Sequence, residues 1–235
     1  SEKLVALGRL SAGMAHEIRN PLNAIKGAVV HLQRRRADDH LVQEYTQLVS
    51  EEIDRLNTLV TDFLYFSRQA KPNLAATDLN LLMLSVQQLF AEQARKRHIH
   101  FSNRLTEGLP PVLLDMQQIE QVIVNLLINA MDALPQGGEV TFSSFLLQTG
   151  DGSAHRVRVE IRDNGVGIPA DHLQSIFDPF FSTKESGSGI GLPLSLGIIE
   201  SHGGTLTVRP REQTGTVATF EIPLHGPAIN EETHS

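Results

Sequence analysis

The sequence predicts a helical hairpin followed by an α+β domain, an α/β sandwich built on a mixed sheet. Residues 1–70 contain a single proline, Pro21, and carry apolar side chains at helical spacing. From Lys71-Pro72 onward, helical stretches alternate with β-branched runs, and four such runs separated by Gly-rich turns crowd the last hundred residues. The charge shifts at the same place. Residues 1–70 hold nine basic and nine acidic side chains, and residues 71–235 hold eleven and eighteen, so the whole net charge of −7 falls in the second part.

In the first part Leu4, Leu7, Met14, Ile18, Leu22, Ile25, Val29 and Leu32 mark one long helix, which Pro21 is expected to kink. After Arg34-Arg35-Arg36, Asp38 or Asp39 can cap a second helix striped by Val42, Tyr45, Val49, Ile53, Leu56, Val60 and Phe63. Two antiparallel helices of about 30 residues, each about 45–50 Å long, give each other only one partner face. Much apolar surface stays wet unless a second copy packs on it, so a homodimeric four-helix bundle is expected. The chain opens inside helical pattern at Ser1-Glu2-Lys3-Leu4, from which an upstream sensor or signal-transmitting region is expected.

In the second part helices are expected over 79–97, 115–134 and 191–202, and strands over 99–105, 112–114, 139–148, 155–163, 205–209 and 216–223. The polar stretch 226–235 reads as a flexible tail. The organisation is therefore a hairpin over 1–70, an α+β domain over 71–225 and a tail.

Composition narrows the function classes. The 40% apolar residues together with 18 Gly match a soluble globular chain, which excludes disorder as the main state. A chain of net charge −7 is a poor general nucleic-acid binder, and it has no uncharged apolar run of the ~18 residues needed to span a bilayer. Without cysteine there are neither disulfides nor thiolate metal sites, and no charged-then-apolar leader opens the chain. These features suit a cytoplasmic fragment, with membrane anchoring of a full-length protein left open.

Four stretches carry chemistry. In His16-Glu17-Ile18-Arg19-Asn20-Pro21-Leu22, with Met14 and Ile18 on the seam, His16 points to solvent and Asn20 lies one turn further along the same face. A neutral imidazole there can act as a nucleophile while Glu17 holds the proton of its other nitrogen; the alternative is an ordinary histidine on a solvated helix face. Asn125 and Asn129, four apart in a helical run, stack their amides on one face. Their oxygens can help hold Mg²⁺ over substrate phosphates, or they can be core amides bonded to backbone.

Asp163 ends an alternating run and is followed by Asn164-Gly165-Val166-Gly167. A carboxylate there can accept from the exocyclic amine of adenine, where guanine has a carbonyl, while the glycines let a flat ring approach; a Gly-rich turn without a ligand is the other reading. Finally, Phe177-Asp178-Pro179-Phe180-Phe181-Ser182-Thr183-Lys184 leads to Gly187, Gly189 and Gly191 before a helical stretch. This places amides at a helix N-terminus, where phosphate binds, with Lys184 and a metal ion as the local positive charge. Neither a Walker loop, which needs Lys-Ser/Thr after its last Gly, nor a dinucleotide turn, which needs a strand just before, fits these glycines. His98 and His100 form an isolated pair with little promise as a zinc site, and Arg95-Lys96-Arg97 reads as the cap of a helix C-terminus.

In this order the segments resemble the cytoplasmic kinase core of bacterial two-component sensor histidine kinases, over residues 3–225. His16 to Leu22 looks like the H box, Asn125 to Ala133 the N box, Asp163 to Gly167 the first glycine box, Phe177 to Phe181 the F box and Gly187 to Gly191 the second glycine box. Gly215-Thr216-Val217-Ala218-Thr219-Phe220 resembles the terminal glycine-containing strand. Gln118, where a basic residue is frequent, and Pro193, where small residues are common, depart from the pattern.

The resemblance implies a dimeric hairpin joined to a GHKL-type ATP-binding domain. His16 would be the phosphorylated residue, Glu17 its acid/base partner, and Asn20 the residue that orients water when phosphate is removed from the partner. Asn129 would be the principal Mg²⁺ ligand and Asn125 would contact phosphates or metal-bound water. Asp163 would bind the adenine amine, Gly165 and Gly167 would shape its pocket, and Lys184 with Gly187, Gly189 and Gly191 would belong to a lid over the triphosphate. The implied partners are a second copy and a response-regulator receiver domain. Two other classes share parts of the pattern: a GHKL-type conformational ATPase with water as acceptor, and a non-catalytic scaffold with a dead ATP fold.

Overall fold

A computed structural model describes residues 18, 20, 22–36, 39–67, 71–148, 155–183 and 189–227. His16, Glu17, the expected kink at Pro21, Lys184, Gly187 and all but the first two residues of the expected tail lie outside these. The chain divides into two compact units, Ser1–Gln69 with Pro179–Gly191, and Ala70–Asp178 with Leu192–Ser235.

In the first unit helix α1 covers residues 22–35, with Ile18 and Asn20 also helical, and helix α2 runs His40–Ser67. Asp39 stands just before α2 and its Oδ1 accepts from the Val42 amide at 3.3 Å, a capping bond; the other candidate cap, Asp38, lies outside the described residues. The helices run antiparallel: Lys26 pairs with Asp54, and the Gln33 carbonyl accepts from Gln43 Nε2 at 2.9 Å. Leu22 and Ile53 are buried, and so is Thr46, whose hydroxyl bonds the Val42 carbonyl at 2.6 Å.

The apolar stripes are not buried as single seams. Ile18, Ile25 and Leu32 on α1, and Tyr45, Val49 and Leu56 on α2, are exposed, joined by Leu41 and Leu48. The reason is geometric. One partner helix covers only an arc of each cylinder, and the apolar positions here span a wider arc than that.

Among the described residues the second unit holds seven strands: β1 (Ala75–Thr77), β2 (Ile99–Arg104), β3 (Val112–Leu114), β4 (Gly138–Gln148), β5 (His155–Asp163), β6 (Thr205–Pro210) and β7 (Thr216–Pro223). Its helices are α3 (Leu79–Lys96), α4 (Met116–Asp132) and α5 (Gly191–Ser201), the last taking its first residue from the other unit. Five strands form a mixed sheet in the order β2-β4-β5-β7-β6, parallel only between β2 and β4, and β1 pairs antiparallel with β3. All the expected strands are present. β1 is an addition, three residues long and without alternation, held by Ala75 opposite Leu114.

Alternation along the strands creates the core. Val157, Val159 and Ile161 of β5 are buried beside Val140 and Phe142 of β4 and Phe220 and Ile222 of β7, with Phe101 meeting Phe142 edge-on at 5.8 Å. Leu79, Met83 and Val86 of α3 and Ile119, Ile123 and Leu127 of α4 are fully buried. Helix ends are closed by side chains. Asp78 accepts from Leu81, and Asp115 accepts from Gln117 and Gln118. Arg97 is the C-cap of α3, as expected, and its side chain reaches a neighbouring helix: Nη2 bonds the Met131 carbonyl at 2.8 Å and Nη1 pairs with Asp132 at 3.2 Å, closing the C-terminus of α4.

Candidate functional site

The last residue of β5 is Asp163, and alternation turns its side chain inward with Val159 and Ile161, where it is 3% exposed. A buried carboxylate needs donors, and two backbone amides supply them: Gly165 at 2.9 Å and Thr216 at 3.2 Å, both to Oδ1. Arg211 Nη1 donates to the Asp163 carbonyl at 2.7 Å. Burial pushes the Asp163 carboxyl above its ordinary value, and the two amides and the Arg211 charge act in the opposite direction. With Oδ1 occupied by backbone, Oδ2 is the oxygen with which Asp163 can accept from an exocyclic amine.

The glycines around this acid are set by close approach. A Cβ on Gly165 would lie 2.1 Å from the Ala133 carbonyl, which also accepts from the Val166 amide at 3.0 Å; only glycine lets the turn after β5 meet the end of α4. Gly215, at φ +94°, would bring a Cβ within 2.1 Å of the Asp163 carbonyl, so both its conformation and its contact exclude a side chain. Gly167 lies beside Gly215. Three glycines and Thr216 thus frame one carboxylate.

Asn125 and Asn129 stand one turn apart on α4, both half-buried, on a helix whose Val122, Leu126 and Ala130 are buried. Asn125 Nδ2 donates to Ser195 Oγ at 3.3 Å, and Ser195 is fully buried on α5. The Asn129 carbonyl accepts from Ala133, the residue that abuts Gly165, so the amide pair and the buried acid share one stretch of backbone. Among the described residues no group of three or more His, Asp or Glu is placed to hold a metal ion. Neutral amide oxygens beside substrate phosphates fit a hard cation that keeps several waters, and Mg²⁺ is of that kind.

In the other unit, Phe180 adopts φ +69° and its amide donates to the Gly189 carbonyl at 3.0 Å. Gly189 is itself at φ +66°, and a Cβ there would come within 2.5 Å of the Phe180 carbonyl carbon. The F-box and glycine-box segments are therefore stitched backbone to backbone. Gly191 opens α5, and Pro193 sits in its first turn, where its missing amide costs nothing. Asn20 is helical and exposed.

Four residues of this region were not singled out as site residues from the sequence. Thr216 and Arg211 converge on Asp163, Ser195 orients Asn125, and buried His202 links α5 to α4 by accepting from the Asp115 amide at 3.1 Å. Only Thr216 had a local signal, the preceding Gly215. No helix among the described residues is long and apolar enough to cross a membrane.

Residues 6–72 match the family described as His Kinase A (phospho-acceptor) domain, and residues 114–226 match histidine kinase-, DNA gyrase B-, and HSP90-like ATPase. Sensor histidine kinase ZraS of Escherichia coli (strain K12) is 38% identical over 224 residues, which are 95% of this chain and 47% of the relative. The chain thus spans about half the length of such curated relatives. The crystal structure of full-length ShkA in complex with AMPPNP superposes with a TM-score of 0.78 at 27% identity, over 94% of this chain and 46% of that one. Histidine kinase ThkA in complex with response regulator protein TrrA gives a TM-score of 0.70 at 33% identity, over 95% of this chain and 63% of that one. A phospho-acceptor hairpin followed by a kinase-type ATPase fold, shared in that order with these relatives along nearly its whole length, makes this chain a member of the sensor histidine kinase family.

Proposed function

We propose that this chain transfers the γ-phosphoryl group of ATP to His16 and passes it to an aspartate of a response-regulator receiver domain, and that the same site removes it from that regulator. The observation that carries the reading is Asp163, a buried carboxylate with one oxygen saturated by backbone amides, in one chain with the His16 hairpin. AMPPNP in the ShkA structure and TrrA in the ThkA structure support ATP and a receiver domain as substrate and partner.

In this reading Asp163 accepts from the adenine amine while Gly165 and Gly167 keep side chains out of the ring's plane. Asn129, with Asn125 beside it, holds the metal, and Lys184, Gly187, Gly189 and Gly191 cover the triphosphate. Bound Mg²⁺ supplies charge neutralisation at the phosphate oxygens. One imidazole nitrogen of His16 attacks the γ-phosphorus, the bond from phosphorus to the bridging oxygen breaks, and ADP leaves. Glu17 takes the proton of the other ring nitrogen, and the ATP-binding domain contributes alignment rather than covalent chemistry. In the reverse task Asn20 orients the water that attacks the regulator's phosphoaspartate.

Residues 1–70 act in this account as the dimerisation and phosphotransfer hairpin and 71–225 as the catalytic domain. The exposed apolar side chains of α1 and α2 support a homodimer, in which they would form the seam of a four-helix bundle. The reaction belongs in the cytoplasm, on ATP, with a sensing region elsewhere in a longer protein. Incubation with γ-labelled ATP and Mg²⁺ tests it: acid-labile, alkali-stable label that vanishes in His16→Gln supports the kinase. Free phosphate without labelled protein would instead indicate an ATPase.

A further inference from the structure

The strands that bury Val157, Val159 and Ile161 on one side carry a different set on the other. Register aligns three cross-strand rows there: Arg162, Val217 and Arg209; Glu160, Thr219 and Thr207; and Arg158, Glu221 and Thr205. Together they line a cleft of about 370 Å³, within the size range of small-molecule sites. Arg158, Arg162 and Arg209 are three of the eleven basic side chains of residues 71–235, and in the cleft they meet two glutamates, Glu160 and Glu221. A local surplus of positive charge thus sits on the more acidic part of the chain.

The glutamates act as props. Arg162 donates Nε, at 3.0 Å, and Nη2 to the same oxygen of Glu160, and Arg158 donates Nε, at 2.7 Å, and Nη2 to one oxygen of Glu221. Each pair uses one edge of the guanidinium and leaves the Nη1 hydrogens for another acceptor. Arg209 is exposed, and its guanidinium makes no hydrogen bond or ion pair among the described residues. Its backbone lies two strand spacings, about 9–10 Å, from that of Arg162, with only the short side chain of Val217 between.

We propose that this outer cleft binds a phosphorylated small molecule, its phosphate over Val217 between Arg162 and Arg209 and its organic part along Thr219 and Thr207 toward Arg158. The cleft offers the phosphate two guanidiniums, from β5 and from β6, and offers the organic part a row of threonine hydroxyls. A planar carboxylate occupies one such fork, whereas the oxygens of a phosphate serve both. The cleft also has room beyond a lone phosphate, which an ester fills. This face is the opposite side of the sheet from Asp163, so the inference stands apart from the nucleotide reading.

The test is titration of the ¹⁵N-labelled 235-residue chain with ribose 5-phosphate, read at the arginine Nε–Hε resonances. Saturable shifts at Arg162 and Arg209 are expected, unchanged in Asp163→Asn and at least about tenfold weaker in Arg209→Ala. Thr207→Val, which keeps the side-chain shape, is expected to weaken binding as well. Shifts that never saturate, or an unaltered curve in Arg209→Ala, would overturn the site. Inorganic phosphate binding as tightly as the ester would reduce it to an adventitious ion only, and would overturn it too.

Discussion

The backbone amide of Thr216 donates to Oδ1 of Asp163 at 3.2 Å, so the buried acid is fixed by the first residue of β7 as well as by its own turn. The contact follows from strand register. Arg162 lies opposite Val217, which brings the next pair, Asp163 and Thr216, to the end of the same ladder. An acid positioned this way presents its second oxygen in one direction, as recognition of an adenine amine requires.

Asp163→Asn is expected to weaken ATP binding by about 1.5–3 kcal/mol, roughly 10- to 150-fold, because an amide held by the same two backbone donors turns its own donor toward the adenine amine. Titration with a fluorescent ATP analogue measures it.

The same substitution is expected to raise the melting temperature of the nucleotide-free chain at pH 7. Burial raises the folded-state pKa of Asp163 above the ordinary 3.8, so between those values the folded chain keeps a proton that the unfolded chain releases. Stability from this group is present below 3.8 and is lost as pH rises through the folded value. Thermal melts at pH 7 should therefore show the gain, and melts below 3.8 should not; a lower melting temperature at pH 7 would contradict it.

Gly165→Ala is expected to cost about 1–3 kcal/mol in denaturant unfolding, since its Cβ meets the Ala133 carbonyl and the turn after β5 must move off α4. Gly197→Ala, where a Cβ meets nothing within 4 Å, is the control and should lose no stability.

His202 supplies a pH dependence of opposite sign. Its Nδ1 bonds the Ile198 carbonyl at 2.8 Å and its Nε2 accepts from the Asp115 amide, a pairing that only the neutral ring can make. Burial lowers its folded-state pKa below 6.5. The stabilisation is present above 6.5 and is lost as pH falls through the folded value. His202→Phe should cost about 1–3 kcal/mol at pH 7.5 and flatten the acid limb of a stability-against-pH curve.

Much of this architecture was legible in the chain. Helices α3, α4 and α5 and strands β2 to β7 follow from periodicity and punctuation, and Asp163 with its glycines from a strand that ends on an acid. Short β1 was not legible, because Ala75–Thr77 has no alternation of its own and exists through pairing with β3. Nor were Arg211, Ser195 and His202, whose partners lie 48, 70 and 87 residues away in sequence. Local pattern places a residue on an element, whereas these roles are created where elements meet. The hairpin stripes failed in a related way. Spacing identified the apolar positions but did not divide those that face the partner helix, such as Ile53, from those that stay outward, such as Tyr45.

Those outward residues lead to a prediction of assembly. Tyr45→Glu together with Leu48→Glu should convert a dimer to a monomer in light scattering, with little loss of helicity, because both side chains are exposed within one chain. A dimer that persists would show that the seam lies elsewhere.

The most direct test of phosphoryl transfer is peptide mapping by mass spectrometry after incubation with ATP and Mg²⁺ and an alkaline quench. The expected result is one phosphorylated peptide, the one containing His16, which disappears in Asp163→Asn at low ATP and returns as ATP is raised. Phosphate on a peptide bearing His31 or His40 instead, or ADP formed with no phosphopeptide at all, would contradict it.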